Sequence, residues 1–194
     1  MLILASRSPQ RRALLRHLGV EFRVVASGFE EHGPGRSPRE RVLANALGKA
    51  RDVVARAGIP EGGGVLGADT EVVLDGASLG KPADRDAAGR MLRSLAGRAH
   101  EVLTAVVLVT AGGERAEVAS TAVRMRPADD AVLEWYLDTG EWRDRAGGYA
   151  VQGAGAALVT GIDGDHSTVV GLPVPVVADL LHAAGLWPGD GAAG

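Results

Sequence analysis

Two helix starts of one design, Ser8-Pro9 and Ser37-Pro38, interrupt a chain whose remaining apolar runs are short and rich in Val, Leu and Ala. A serine that caps the turn, followed by a proline whose missing N–H costs nothing there, fixes where a helix begins. Glu40, three residues after Ser37, completes a capping box. The first helix shows an apolar face of Leu14, Leu15 and Leu18 and ends at Gly19. The second runs to about Ala57, with Val42, Leu43, Ala46, Ala50, Val53 and Val54 available for burial. Further helices are predicted over 84–95, 129–137 and 173–185.

Between them lie the expected strands: 2–5, 20–26, 65–66, 72–74, 102–110 and 116–125, then 149–151, 156–162 and 167–170. The run 111–114 turns one hairpin and Asp163-Gly164 a second. Helices interleaved with strands, with hairpins among them, define an α/β fold on a mixed sheet. Aromatic residues are only 4% of the 194, so the core is aliphatic. No internal repeat is visible.

Composition removes several chemistries. With no cysteine there is no disulfide, thiolate zinc site or Cys nucleophile, which fits a reducing compartment. The five histidines lack the i, i+4 spacing of a zinc pair, and no Gly-x-Ser-x-Gly elbow is present. A formal net charge of −3 disfavours extended nucleic-acid binding. No apolar run reaches the ~20 residues of a membrane span, and arginines follow the apolar start too soon for a signal peptide. The expectation is a cytoplasmic protein.

Four segments place charged or amide side chains beside small residues where an apolar stretch breaks. In Ser6-Arg7-Ser8-Pro9-Gln10-Arg11-Arg12 the free N–H groups of a helix start stand beside guanidinium forks, both suited to phosphate. In Gly67-Ala68-Asp69-Thr70 an Asp follows buried Val65-Leu66, placed to bind a divalent cation, to take a proton from water, or simply to satisfy a turn. Gly80-Lys81-Pro82 presents one lysine in a defined loop. It is not a P-loop, because three rather than four residues separate Gly76 from Gly80, and Pro82 stands where that motif needs Ser or Thr. Gln152, beside Gly153, offers one donor and one acceptor, enough to read a base edge. Glu30-Glu31 follows a strand and can share a metal or simply stay solvated, whereas Asp163 and Asp165 belong to the second hairpin turn.

The order and spacing of these segments resemble the Maf family of nucleoside triphosphate pyrophosphatases. The likeness is carried by Leu4-Ala5-Ser6-x-Ser8-Pro9-x-Arg11-Arg12, Glu31, Lys49-Ala50, Gly67-Ala68-Asp69-Thr70, Gly80-Lys81-Pro82, Thr121-x-Val123, Ala146-Gly147-x-Tyr149-Ala150-x-Gln152-Gly153 and Val169-Val170-Gly171-Leu172-Pro173. The resemblance implies an elongated mixed twisted sheet with flanking helices, in two lobes around a central cleft. It implies one domain over 1–187, with a flexible tail over 188–194, and a cytoplasmic homodimer. It also implies hydrolysis of a nucleoside triphosphate to monophosphate and pyrophosphate with Mg²⁺ or Mn²⁺. Carried over by position, Asp69 is the proton acceptor, and Glu31 and Asp69 hold the metal. Arg11, Lys49 and Lys81 act with them in catalysis, and Ser8, Gln10, Arg12, Thr70 and Gln152 bind substrate.

Specificity in this family resembles a three-position code. The dTTP/UTP branch has Arg, Thr and Gln where this chain has Gln10, Thr70 and Gln152; the branch acting on 7-methyl-GTP has Trp, Gln and Glu. Two matches point to dTTP, UTP and modified pyrimidine nucleotides. Gln10 motivates the alternative of relaxed or purine specificity. Arg145 replaces a usual Lys and keeps its charge. The alternative of another class is a non-catalytic nucleotide-binding regulator of cell division.

Overall fold

A computed structural model of the chain describes residues 1–33 and 35–188. The predicted tail, apart from Pro188, lies outside the described residues. The chain divides into two compact units. Unit 1 is Met1–Asp69, Thr104–Ala119 and Gly171–Gly194; unit 2 is Thr70–Leu103 and Ser120–Val170.

Unit 1 begins with β1 (Leu2–Leu4), α1 (Pro9–His17), β2 (Phe22–Val24) and α2 (Pro38–Ala57). Both predicted caps are present. The Ser8 side chain accepts from Arg11 N–H, and Ser37 forms the full capping box with Glu40. Then comes β3 (Gly64–Leu74), whose residues up to Asp69 belong to this unit. β1 pairs in parallel with both β2 and β3, with Leu2, Ile3 and Leu4 opposite Gly64, Val65 and Leu66.

β3 is buried on both faces, and successive side chains alternate between them. Leu66 and Ala68 join a core with Leu2, Leu4, Leu15, Val106, Leu172 and residues of α6 (Val174–Ala183). Val65, Gly67 and Asp69 face α2. A Cβ at Gly67 would lie 2.9 Å from Ala50 Cβ and 3.0 Å from Ala50 N, and closer still to the Ala46 carbonyl oxygen. Glycine here, against the alanines of α2, lets helix and strand approach closely.

Unit 2 is built around α3 (Arg85–Leu95) and α4 (Asp130–Thr139), with β4 (Ala77–Leu79) paired antiparallel to the end of β3. β5 (Ala99–Thr110) and β6 (Gly113–Met125) form the first predicted hairpin, of which residues up to Leu103 and from Ser120 belong to this unit and the rest to unit 1, and β7 (Val159–Asp163) pairs antiparallel with β6. The core holds Leu92, Leu95, Val123, Leu133, Tyr136, Trp142, Tyr149 and Leu158. Among the described residues the sheet has seven strands, in the order β2-β1-β3-β5-β6-β7 with β4 off that path on β3. The mixed α/β sheet expected from sequence is the one found.

Four local expectations are corrected. Asp69 does not sit in a break between strands, because 64–74 is one continuous strand. The run 149–151 is not a strand; it leaves a tight turn in which Gly147 and Gly148 take positive φ. The stretch preceding β7, Gly153–Leu158, is 3-10 helix. Asp163-Gly164 does not turn a hairpin, for His166–Val170 is helical (α5). Asp165 drives that helix: its carboxylate accepts from Ser167 N at 3.1 Å and Thr168 N at 2.9 Å. This local capping overrides the β preference of Thr168, Val169 and Val170.

Candidate active site

In unit 1, α2 projects Asn45 and Lys49 from the stripe that otherwise buries Val42, Ala46, Ala50 and Val53. Four residues apart, they lie one turn above each other and face Asp69 of β3. Lys49 Nζ donates to Asp69 Oδ1 at 2.7 Å and to Glu31 Oε1 at 2.5 Å. Asn45 Nδ2 donates to Asp69 Oδ2 at 3.2 Å, and its Oδ1 accepts from His32 N at 2.8 Å. Asp69, Lys49, Glu31, the 31–32 peptide and Asn45 thus close a hydrogen-bonded ring. Asp69 is buried, while Glu31 keeps 49% of its side chain exposed, so the ring opens toward solvent at Glu31.

The loop that carries Glu31 is pinned at several points. Asp52 accepts from Ser27 Oγ at 2.9 Å and Gly28 N at 2.8 Å. Its pKa falls to about 2, chiefly through the hydrogen bond from Arg56, then those from Gly28 N–H and Ser27, against the opposing effect of burial. The Phe29 ring lies directly over Gly48, where any Cβ would collide with it.

The turn from β1 into α1 brings the remaining cation. Arg11 Nε donates to the Gly171 carbonyl at 2.8 Å, and Nη1 to Ser6 Oγ at 3.3 Å. Burial pulls the guanidinium pKa below its ordinary value; Asp69 and then Glu31 pull it partly back. Ser8 Oγ donates to Gln10 Oε1 at 3.1 Å. Half-buried Arg12 makes no side-chain hydrogen bond or ion pair among the described residues.

Seven predicted site residues share unit 1; direct bonds or close charges link six of them, Ser8, Gln10, Arg11, Glu31, Lys49 and Asp69, as two groups joined through Arg11, and Arg12 stands outside them. Thr70, Lys81 and Gln152 belong to unit 2. There, Gly147 N donates to Gly80 O at 3.1 Å, tying the lysine loop to the glycine turn before Gln152. Lys81 and Gln152 are exposed. The site residues absent from the sequence expectation are Asn45 and Ser6. The available signal for Asn45 was an amide standing on an otherwise apolar helical stripe.

The donors suit a divalent cation in one respect. Two carboxylates already converge on a single positive charge, the Lys49 ammonium, which occupies the place a cation would need. No group of three or more His, Asp or Glu placed to hold a metal occurs among the described residues.

The family described as Maf-like protein matches residues 1–184. A dTTP/UTP pyrophosphatase of Symbiobacterium thermophilum is 46% identical over 194 residues, covering 100% of this chain and 98% of that protein. Proteins of the same name from an Anaeromyxobacter species and from Pelotomaculum thermopropionicum are 48% and 44% identical, each over 95% of this chain and over 89% and 96% of their own. A crystal structure of a Vibrio cholerae protein aligns over 71% of this chain and 68% of its own at 13% identity and a TM-score of 0.38, too slight to carry an argument. Matched from Met1 to Ala184, the chain belongs to the Maf-like protein family.

Proposed function

We propose that this chain hydrolyses nucleoside triphosphates to monophosphate and pyrophosphate, with dTTP, UTP and modified pyrimidine nucleotides as substrates. The observation that carries the reading is the unit 1 ring, in which two carboxylates, an ammonium and a nearby guanidinium share one small region. Full-length relatives named dTTP/UTP pyrophosphatase support the substrate class.

Arg11 and Lys49 bind phosphate oxygens, Arg11 with a planar fork and Lys49 as a point charge. The N–H groups at the start of α1 and the Ser8 hydroxyl add neutral donors at the same turn. Lys81 is assigned a role at the phosphates by the resemblance to the family. Asp69 takes the proton of the attacking water at its carboxylate, oriented by Asn45 on one oxygen and Lys49 on the other. Glu31 and Asp69 are the side chains that would hold Mg²⁺ or Mn²⁺, an ion that neutralises the triphosphate and makes pyrophosphate a better leaving group. Thr70 and Gln152 contact the nucleoside.

Residues 1–187 act as one functional domain, and the protein is a cytoplasmic homodimer. The resemblance to the family supports this assignment, and no helix of the described residues is long and apolar enough to cross a membrane. Light scattering checks the dimer.

Pyrophosphate release from a panel of triphosphates with Mg²⁺ tests the activity. Asp69→Asn should lower turnover by about 10²- to 10⁴-fold, the range typical of a lost general base, while nucleotide binding persists. A wild type that binds nucleotide yet releases no pyrophosphate is instead a regulator. Equal rates on dTTP, ATP and GTP would refute pyrimidine specificity. One observation favours that broader reading: the Gln10 amide oxygen is turned back onto Ser8.

A further inference from the structure

Unit 2 spends several side chains on holding one short stretch of backbone, 149–155, whose central side chain is left free. The phenol of Tyr149 meets His100 Nε2 at 2.7 Å in the core. The buried Tyr136 hydroxyl of α4 accepts from Ala150 N at 2.9 Å. The Glu141 carboxylate then grips the far side: Oε1 accepts from Ala154 N at 3.0 Å and Oε2 from Gly155 N at 3.1 Å. Gly153, at φ +70, has its Cα against that carboxylate, where a Cβ would collide with it. Gln152 sits between these anchors. It is exposed, does not cap the 3-10 turn it begins, and has no side-chain hydrogen bond among the described residues.

Glu141 is itself held. Gly140 ends α4 in the left-handed conformation, Glu141 N donates to Thr139 Oγ1 at 3.2 Å, and buried Trp142 donates through Nε1 to Leu137 O at 3.0 Å. A carboxylate fixed at its own backbone and bonded through both oxygens transmits that fixity to the peptides it holds. A loop needed only as a connection would not require it. An uncommitted amide on a rigid backbone is suited to recognition, because its ordering cost is met before the ligand arrives.

We propose that Glu141 is a positioning residue that holds the Gln152 amide in register for the edge of the nucleobase. The inference rests on the nucleotide-hydrolase reading above and adds to it how the Gln152 amide is held in place. Mere closure of the free N–H groups of the 3-10 turn would also use a carboxylate, but would not single out one base.

The test compares wild type, Glu141→Ala, Glu141→Gln, Gln152→Ala and the double variant Glu141→Ala/Gln152→Ala, measuring kcat and KM for pyrophosphate release from dTTP and dCTP. Wild type should prefer dTTP. Glu141→Ala should lose about tenfold of that preference, the size expected for charge-assisted hydrogen bonds, mainly through KM. Glu141→Gln, which keeps one acceptor oxygen, should lose less. The double variant should match Gln152→Ala within about twofold, because both changes act through one amide. Should Glu141→Ala not fold, the smaller loss in Glu141→Gln carries the comparison. Equal losses on both nucleotides, or losses that multiply in the double variant, overturn the proposal. So does a wild type that cleaves dTTP and dCTP alike. A wild type that releases no pyrophosphate at all overturns the hydrolase reading itself, and this inference with it.

Discussion

The site in unit 1 depends on a glycine that touches no substrate, and Gly67→Ala tests that dependence. The added Cβ would stand 2.9 Å from Ala50 Cβ and 3.0 Å from Ala50 N, where ordinary contact begins at 3.4 Å. Backbone and a methyl group cannot swing aside, so α2 and β3 must separate by at least about half an ångström, and by more at the Ala46 carbonyl oxygen, as the overpacked groups demand. That separation opens the Asn45–Asp69 hydrogen bond, now 3.2 Å, to beyond about 3.5 Å, where such a bond is effectively lost. The 2.7 Å Lys49–Asp69 contact stretches as well. Overpacking a tight core costs about 1–3 kcal/mol, which for a chain of this length lowers Tm by roughly 2–12 °C. Misorientation of Asp69 should reduce kcat/KM for pyrophosphate release by about tenfold, since an ångström of misplacement is worth ~10²-fold. Calorimetry and a pyrophosphate-release assay measure the two effects. Gly112→Ala is the control, because its nearest neighbour, Thr110 Oγ1, would be at an ordinary 3.6 Å. A Gly67→Ala protein with Tm within about 1 °C of wild type and activity within about twofold would refute the packing argument.

Two pH predictions follow from single groups. Burial lowers the His100 pKa from 6.5 to about 4, with Nδ1 left unpaired, so the folded state holds the ring neutral. The unfolded chain takes up that proton first, so stability is intact above pH 6.5 and falls by roughly 3 kcal/mol as pH drops to about 4; denaturant unfolding of His100→Gln should show a flatter slope across that window. Asp52, held near pKa 2, contributes stability above the ordinary carboxylate range that disappears as pH falls from about 4 to 2. Asp52→Asn should lack that acid-limb loss in thermal melts, and should release the Glu31 loop to faster amide exchange at Gly28.

How much of this was legible in the sequence varied with the range of the forces involved. Both Ser-Pro helix starts, the capping box and the β5–β6 hairpin were readable because each is decided by a few adjacent residues. Most of the differences arise where contacts from afar decide the outcome. Small residues at 67 and 68 read as a break, yet they serve a strand covered on both sides. The alternating run 149–151 read as a strand, yet Tyr136 and His100 hold it in place of a ladder. β4 went unseen because its three residues owe their conformation to pairing with β3. The difference at 163–170 is a local one: Asp165 reads as part of a turn, but its cap is the stronger signal.

For the site, residue types were visible but the logic of their arrangement was not. Two carboxylates brought together repel, and in a partly buried place that repulsion is poorly screened. The fold resolves it with Lys49, whose ammonium bridges Glu31 and Asp69. Asn45 adds a neutral amide that restrains Asp69 without contributing charge. The apolar stripe of α2 has two polar exceptions, Asn45 and Lys49, and both point at the same carboxylate. A buried polar group is costly unless bonded, so such exceptions persist only where a partner waits across the interface. The partner in this case was predictable in kind, an acid on the facing strand, and Asp69 was the acid already singled out. Read as a pair one helical turn apart, the two exceptions mark the side of β3 that carries the candidate site.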